Sequence, residues 1–347
     1  MKRVSIKDVA KAARVSHPTV SRALRNSPLV KAETSERIRR LAETMGYRPN
    51  VVARGLVTCK TWTIAAVVTT LADPFNGELL SGLEELATDR GYSVFVANCN
   101  ADPDREIKAV RLFQERRVDG IVVMCSRVGV LYGPMLRELR IPIILVNSYY
   151  PNEFFNSIVI NNPDASRQAV QHLIDLGHRR IAYIGDQYGL QSDTERFAGY
   201  REALELAGLP LSPELVVNGN GKADGGQQAT ERLLALPTPP TALFCYNDQT
   251  ALGALSAIRH HGLRVPDDIS VVGFDDLEVA SYAHPPLTTV RQPRKLMGRM
   301  AMEMLLNLFS SRSTDQSHLK IPGELIVRES TAPLTAAPKS RKNTKRG

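Results

Sequence analysis

The chain has 347 residues, 43% hydrophobic and 23% charged, which suits a globular protein of two or three domains and excludes a disordered or fibrous one. The longest apolar runs, such as residues 141–146, fall far short of a membrane span, and residues 1–8 enter a charged helical pattern directly, without the apolar core of a secretory signal. A cytoplasmic chain with no membrane partner is expected. The formal charge of +8 is segregated: residues 1–60 carry a net +10, the last 17 residues +5, and the 270 between them −7. A basic end on a mildly acidic body is the footprint of phosphate contact at one end.

In the first predicted helix Ile6, Val9, Ala10 and Ala13 fall on one apolar face, with Ser5 as N-cap. Arg14-Val15-Ser16 makes a turn. A second helix begins near His17, with Pro18 tolerated in its first turn, where that N–H has no intrahelical partner. Val20, Ala23 and Leu24 point inward, which leaves His17, Pro18, Ser21, Arg22 and Arg25 outward. A third helix, about 32–45, repeats the stripe through Ile38, Leu41, Ala42 and Met45 and ends at Gly46. A helix-turn-helix head of this kind sets the start of its second helix against base edges in the major groove. Arg22 can then donate two hydrogen bonds to a guanine, while Ser5, Ser16, Thr19, Ser21 and Asn26 suit phosphate contacts that fix register.

Through Ile6-Lys7-Asp8-Val9-Ala10, Val15-Ser16, Thr19-Val20-Ser21-Arg22 and Tyr47-Arg48-Pro49-Asn50, residues 4–56 resemble the head of the LacI/GalR family of bacterial repressors. The resemblance implies that the segment after Pro49 is a hinge that becomes helical on operator DNA. Asn50, Ala53 and Arg54 would line that hinge, and Leu56 would wedge into the minor groove and kink the duplex. Gly55 stands where the family usually has Ser or a similar residue. It costs about 1 kcal/mol of helix stability relative to Ala, so the free hinge is expected to be less helical still.

From Thr63 onward, apolar strand-like runs alternate with helical stretches. Strands are expected at 64–69, 93–97, 120–124 and 143–146, then at 181–184, 215–217, 242–245 and 270–274. Helices fill the gaps, for example 78–90 with Leu79, Leu83, Leu86 and Ala87 inward. Asp102-Pro103-Asp104 and Asn162-Pro163-Asp164 each read as an N-cap, a Pro at the first helical position and an acid in the first turn. Gly91 and Gly177 each close a helix before a strand. The fold class is an all-α head plus an α/β body, with two doubly wound parallel sheets of about four strands each and a cleft between the two lobes.

The resemblance continues along nearly the whole body and implies a periplasmic-binding-protein type of paired lobes, crossed near Asn161, Arg291 and Pro322. The organisation expected is a head at 1–48 and a hinge helix and linker at 49–60, followed by an effector-binding and dimerisation body at 61–330 and a disordered basic tail at 331–347. Within the body, one lobe takes about 61–161 and 292–322, the other 162–290 and 323–330. By the same resemblance Phe75 is an aromatic platform for a ligand ring, with a plain core Phe as the alternative. Arg196 matches the family's cleft arginine, and Asn247 touches effector as well as capping a helix. Asp275, at a strand end in Val272-Gly273-Phe274-Asp275-Asp276, can accept two hydrogen bonds from neighbouring sugar hydroxyls. Asn147 sits at the matching strand end of the other lobe, where sugar-binding members often carry Asp.

Gly219-Asn220-Gly221 with Gly225 and Gly226 imitates a dinucleotide fingerprint, but the spacing is wrong, and a flexible surface loop is expected. Cys59, Cys99, Cys125 and Cys245 show no ligand or disulfide pattern, the seven His residues show no metal or triad spacing, and no nucleophile stands beside a base. Neither metal nor cofactor nor enzymatic activity is expected. Residues after Ser330 carry no apolar heptad, so a dimer, matched to a pseudo-palindromic operator, is expected in place of a coiled-coil tetramer. The reading is a DNA-binding regulator, a repressor by resemblance, controlled by a sugar-like small molecule. The alternatives are a transport-type solute-binding protein, or a regulator driven by a protein partner.

Overall fold

The computed structural model describes residues 4–47, 60–126, 141–148, 156–310 and 318–334. Asn50, Ala53, Arg54 and Leu56 of the expected hinge lie outside the described residues. The chain divides into two compact units, residues 1–62 and 63–347.

The first unit holds α1 (Ile6–Ala13), α2 (His17–Leu24) and α3 (Ala32–Thr44). Ser5 and Asp8 close a reciprocal capping box: the Ser5 hydroxyl accepts from the Asp8 N–H, and the Asp8 carboxylate accepts from the Ser5 N–H at 2.8 Å. Arg14 takes the left-handed region that ends α1, and Ser16 caps α2, accepting from the Thr19 N–H at 3.3 Å. Val9, Ala10, Ala13, Val20, Ala23, Ile38 and Ala42 form the core, and Leu24, Leu41 and Met45 pack against it. Four of the seven core residues are alanines, which lets the three short helices approach closely.

The second unit alternates strand and helix: β1 (Thr63–Val68), α4 (Pro74–Asp89), β2 (Ser93–Asn98), α5 (Pro103–Glu115), β3 (Gly120–Met124), β4 (Ile143–Val146) and β5 (Asn156–Ile160). It continues with α6 (Asn162–Asp175), β6 (Ile181–Asp186), α7 (Gln191–Leu206), β7 (Val216–Gly219), α8 (Ala223–Leu234), β8 (Ala242–Cys245), α9 (Asp248–His260) and β9 (Ser270–Asp275). The last elements are α10 (Glu278–Tyr282), β10 (Thr288–Arg291), α11 (Arg294–Ser310), β11 (His318–Ile321) and β12 (Glu324–Ile326). One six-stranded sheet runs β11-β5-β4-β3-β1-β2, the other β12-β10-β9-β8-β6-β7. All recorded pairings are parallel except β10 with β12.

The α/β class with two doubly wound sheets is as expected, but the sheets are larger than the expected four strands apiece. The additional strands are β5, β10, β11 and β12. β10 opens on Thr288 and Thr289, both fully buried, and β11 and β12 are short edge strands with mixed polarity, so these three lack the apolar run that marks a core strand. β5 does carry one, Ile158-Val159-Ile160, but it is only three residues long and follows Asn156 and Ser157.

The structure departs from the expected pattern at three further places. Asn162 is the first residue of α6 and not its cap; Asn161 precedes the helix, and the Asn162 amide is turned to other partners. Gly225 and Gly226 lie buried in α8 and not in a surface loop. A Cβ on Gly226 would stand 2.2 Å from the Thr250 carbonyl oxygen, so the glycine allows α8 and α9 to pack backbone against backbone. The body also extends past Ser330: Thr331 bonds His172 at 3.0 Å, the Ala332 carbonyl accepts from the His178 ring at 3.1 Å, and the Leu334 N–H reaches Leu176 O at 2.8 Å. Residues 331–334 thus belong to the packed structure and not to the tail.

Candidate functional site

On the head, His17, Pro18 and Arg22 are exposed at the start and along the outer face of α2. Other members of the expected DNA surface already hold structural bonds. Ser5 is tied into the capping box, and Ser16 Oγ stands 2.8 Å from Thr19 Oγ1. Arg25 folds back onto Ser21, donating to its carbonyl and its hydroxyl at 3.1 Å each. Asn26, in the left-handed region, accepts from Arg39 of α3, which fixes the turn after α2. The outward face of α2 therefore keeps Arg22 as its exposed guanidinium on a braced frame.

In the body the polar residues gather where the carboxyl ends of the two sheets meet. Arg196, from α7, is 4% exposed. Its Nε donates to Asn162 Oδ1 at 3.0 Å and its Nη1 to the Tyr246 carbonyl at 2.5 Å. The guanidinium lies over the Phe274 ring at 3.7 Å and beside the Tyr246 ring at 4.7 Å, so two aromatic faces replace the water it has lost. Its Nη2 stops 3.8 Å from Asp275 Oδ1, longer than a hydrogen bond.

Asp275 ends β9 with φ 117, a backbone that turns its carboxylate and its carbonyl toward different partners. Gln292 Nε2 donates to Asp275 Oδ1 at 2.6 Å, while Asn147 Nδ2 donates to Gln292 Oε1 at 3.2 Å. One glutamine thus joins the strand-end residues of both sheets. The Asp275 carbonyl accepts from Arg294, which also donates to Asp276 O at 2.9 Å and Glu78 Oε1 at 2.7 Å. Burial pushes the Asp275 carboxyl up to about 7; Arg196 pulls it down, and the nearby Asp73 adds to the rise. Beneath it Asp248, fully buried, is held well above the usual range by burial, although Thr289 and the Leu277 N–H both donate to it. Asp276 behaves oppositely. Burial acts upward there, but hydrogen bonds from Arg328 and Arg291 outweigh it and hold the carboxyl low.

The structure links Asp275 and Asn147 through Gln292 and sets the Arg196 guanidinium 3.8 Å from the Asp275 carboxylate. Phe75 borders this group, buried, with the Arg294 guanidinium 5.8 Å from its ring centre. Asn247 stands next to Tyr246 and has both amide ends in use: Oδ1 accepts from the Thr250 N–H as the cap of α9, and Nδ2 donates to Gly221 O. Sequence reading misses Asn162, Asp276, Gln292 and Arg294. The pairing of Arg291-Gln292-Pro293-Arg294 with the doubled Asp275-Asp276 could have signalled the last three, as basic and acidic segments of matched size; nothing comparable marks Asn162. Among the described residues no cluster of His, Cys, Asp or Glu could hold a metal ion.

A helix-turn-helix head on a body of two parallel sheets, with buried polar residues where those sheets meet, defines a ligand-regulated DNA-binding protein. Residues 5–50 match the model for bacterial regulatory proteins of the lacI family, and residues 170–331 match the periplasmic binding protein-like domain. The chain is 34% identical over 331 residues to the HTH-type transcriptional repressor PurR of Aliivibrio salmonicida, covering 95% of this chain and 99% of that one. A Lac repressor dimer bound to operator and the anti-inducer ONPF superimposes with a TM-score of 0.88 at 31% identity, over 95% of this chain and all of that one. A complex of the transcriptional regulator CelR with cellobiose gives 0.72 at 33% identity, over 94% and 100%. The chain belongs to the LacI family of bacterial transcriptional regulators.

Proposed function

We propose that this regulator is a homodimeric repressor whose operator affinity is set by a sugar or sugar derivative bound between the two sheets of its body. The head at 1–48 would read a pseudo-palindromic operator with Arg22 on a base edge, and the hinge at 49–60 would follow the minor groove through Asn50, Ala53, Arg54 and Leu56. Phe75, Asn147, Arg196 and Asp275 would meet the effector, with Asn247 shaping the floor as a helix cap. The edge strand β2 leaves Phe95 and Val96 exposed, an apolar strip suited to a second copy of the chain.

The observation that carries the reading is the pairing of Arg196 with Asp275. A buried cation on helix α7 and a buried carboxylate at the end of β9 stop 3.8 Å short of each other, with aromatic rings beside the arginine. A ligand hydroxyl can donate to the Asp275 carboxylate and accept from the Arg196 guanidinium, satisfying both. Cellobiose in the CelR complex is a ligand of that chemistry. The test is a gel shift with duplex DNA selected from a random pool, at moderate ionic strength, with and without a panel of sugars. A selected duplex should bind well ahead of random competitor, and at least one sugar should change that affinity. Indifference to DNA sequence would overturn the reading.

A further inference from the structure

Arg294 opens α11 and is 5% exposed, so its charge has almost no water. Its Nη1 and Nη2 donate to the carbonyls of Asp275 and Asp276, and Nη2 also meets Glu78 Oε1 at 2.7 Å. Its Nε–H is buried with no acceptor among the described residues. Arg294 and Arg196 therefore bracket Asp275, one at its carbonyl and one at its carboxylate, with Phe75 alongside.

The ion pair is lopsided. Arg294 is enclosed, whereas the Glu78 side chain is 48% exposed. Withdrawing a buried cation's counter-ion without replacement is strongly unfavourable, but a half-hydrated carboxylate can turn to water at small cost. An incoming carboxylate can therefore take the place of Glu78. It keeps Arg294 paired, can offer an acceptor to the unsatisfied Nε–H, and leaves the net charge beside Asp73 and Asp275 unchanged. Asn147, at the matching strand end, is neutral and adds no repulsion. A neutral ligand in the same position would either leave Glu78 in place or strand Arg294.

We propose that the effector is a sugar acid, a polyhydroxylated monocarboxylate whose carboxylate exchanges with Glu78 on Arg294 while its hydroxyls bridge Arg196 and Asp275. The inference rests on the effector site described under the proposed function and adds the ligand's charge. Calorimetry on the full-length protein would compare glucuronate, galacturonate and gluconate with glucose and galactose, and with acetate as a carboxylate that lacks hydroxyls.

At least one sugar acid should bind about tenfold or more tightly than its neutral parent. Arg294→Met should bring that ratio to within about twofold, and Arg294→Lys should restore part of it. Glu78→Gln, which keeps an acceptor for Arg294 but removes the competing charge, should raise the ratio. Its sign is informative even if Arg294→Met folds poorly, because a Glu78 that accepted from the ligand would lower it. Neutral sugars binding as well as the acids, an unchanged ratio in Arg294→Met, acetate binding as tightly as the acids, or no binding by any acid each overturn the proposal. A gel shift on the same preparations separates the two readings: duplex selectivity without acid binding defeats this inference alone, and loss of selectivity defeats the regulator reading.

Discussion

At the residue scale, Asp275 carries a charge its surroundings do not favour. Its carboxyl is raised from 3.8 to about 7 by burial, so between those values the folded state holds a proton the unfolded chain has released. At this group the folded state then binds more protons than the unfolded one, so its contribution to stability falls as pH rises through that window, against an opposite contribution from His172, His178 and His318, which burial holds low. Chemical denaturation of wild type and Asp275→Asn between pH 4 and 8 should show this as a difference: the stability of wild type relative to the variant should decline as pH rises, while Asp248, raised as well, titrates in both. An identical slope in the variant would mean that Asp275 is already ionised throughout. On the head, Arg22→Ala should relax base preference at one position in each half-site by about 1–3 kcal/mol, read as relative affinities on single-base operator variants. Equal loss on every sequence would make Arg22 a phosphate contact.

Elements whose burial follows a simple period are legible in the sequence; elements held by polar pairs are not. The three head helices are visible because Val9, Ala13, Val20, Ile38 and Ala42 repeat at helical spacing and Ser5 and Ser16 are strong caps. Arg196 and Asp275 are nameable from the sequence, whereas Gln292 and Arg294 are not: they follow a threonine-rich strand whose polar side chains hide its burial. Asn162 looks like a cap, and only the helix starting one residue early frees it for Arg196. Helix contact is similarly silent in the periodicity. A Cβ on Gly298 would stand 1.9 Å from the Leu79 carbonyl oxygen, so α4 and α11 touch backbone to backbone there. Gly298→Ala should force them apart and destabilise the body by about 1–3 kcal/mol in urea denaturation, although Ala favours an isolated helix. An unchanged midpoint would show that the pair has slack.

At the scale of the whole body, the chain passes between the two sheets three times: from β5 to α6, from β10 to α11 and from β11 to β12. Each passage is tied to the same polar string. Asn162, just after the first, binds Arg196; Gln292, within the second, binds Asp275 and Asn147; and Glu324, just after the third, binds Arg291, which binds Asp276. A ligand that takes hydrogen bonds from Arg196 or Asp275 therefore competes with bonds that hold the sheets relative to each other. Such competition is the differential affinity for two arrangements that coupling between separate sites requires. Gln292 is the most direct of these ties, since its side chain bonds strand-end residues of both sheets. Gln292→Leu keeps comparable bulk and removes both bonds. The ratio of operator dissociation constants with and without a saturating sugar or sugar acid should move toward one in this variant, while thermal unfolding still shows a folded body. If the ratio stays at its wild-type value, the ties are scaffolding, and the response must travel through packing between the sheets instead.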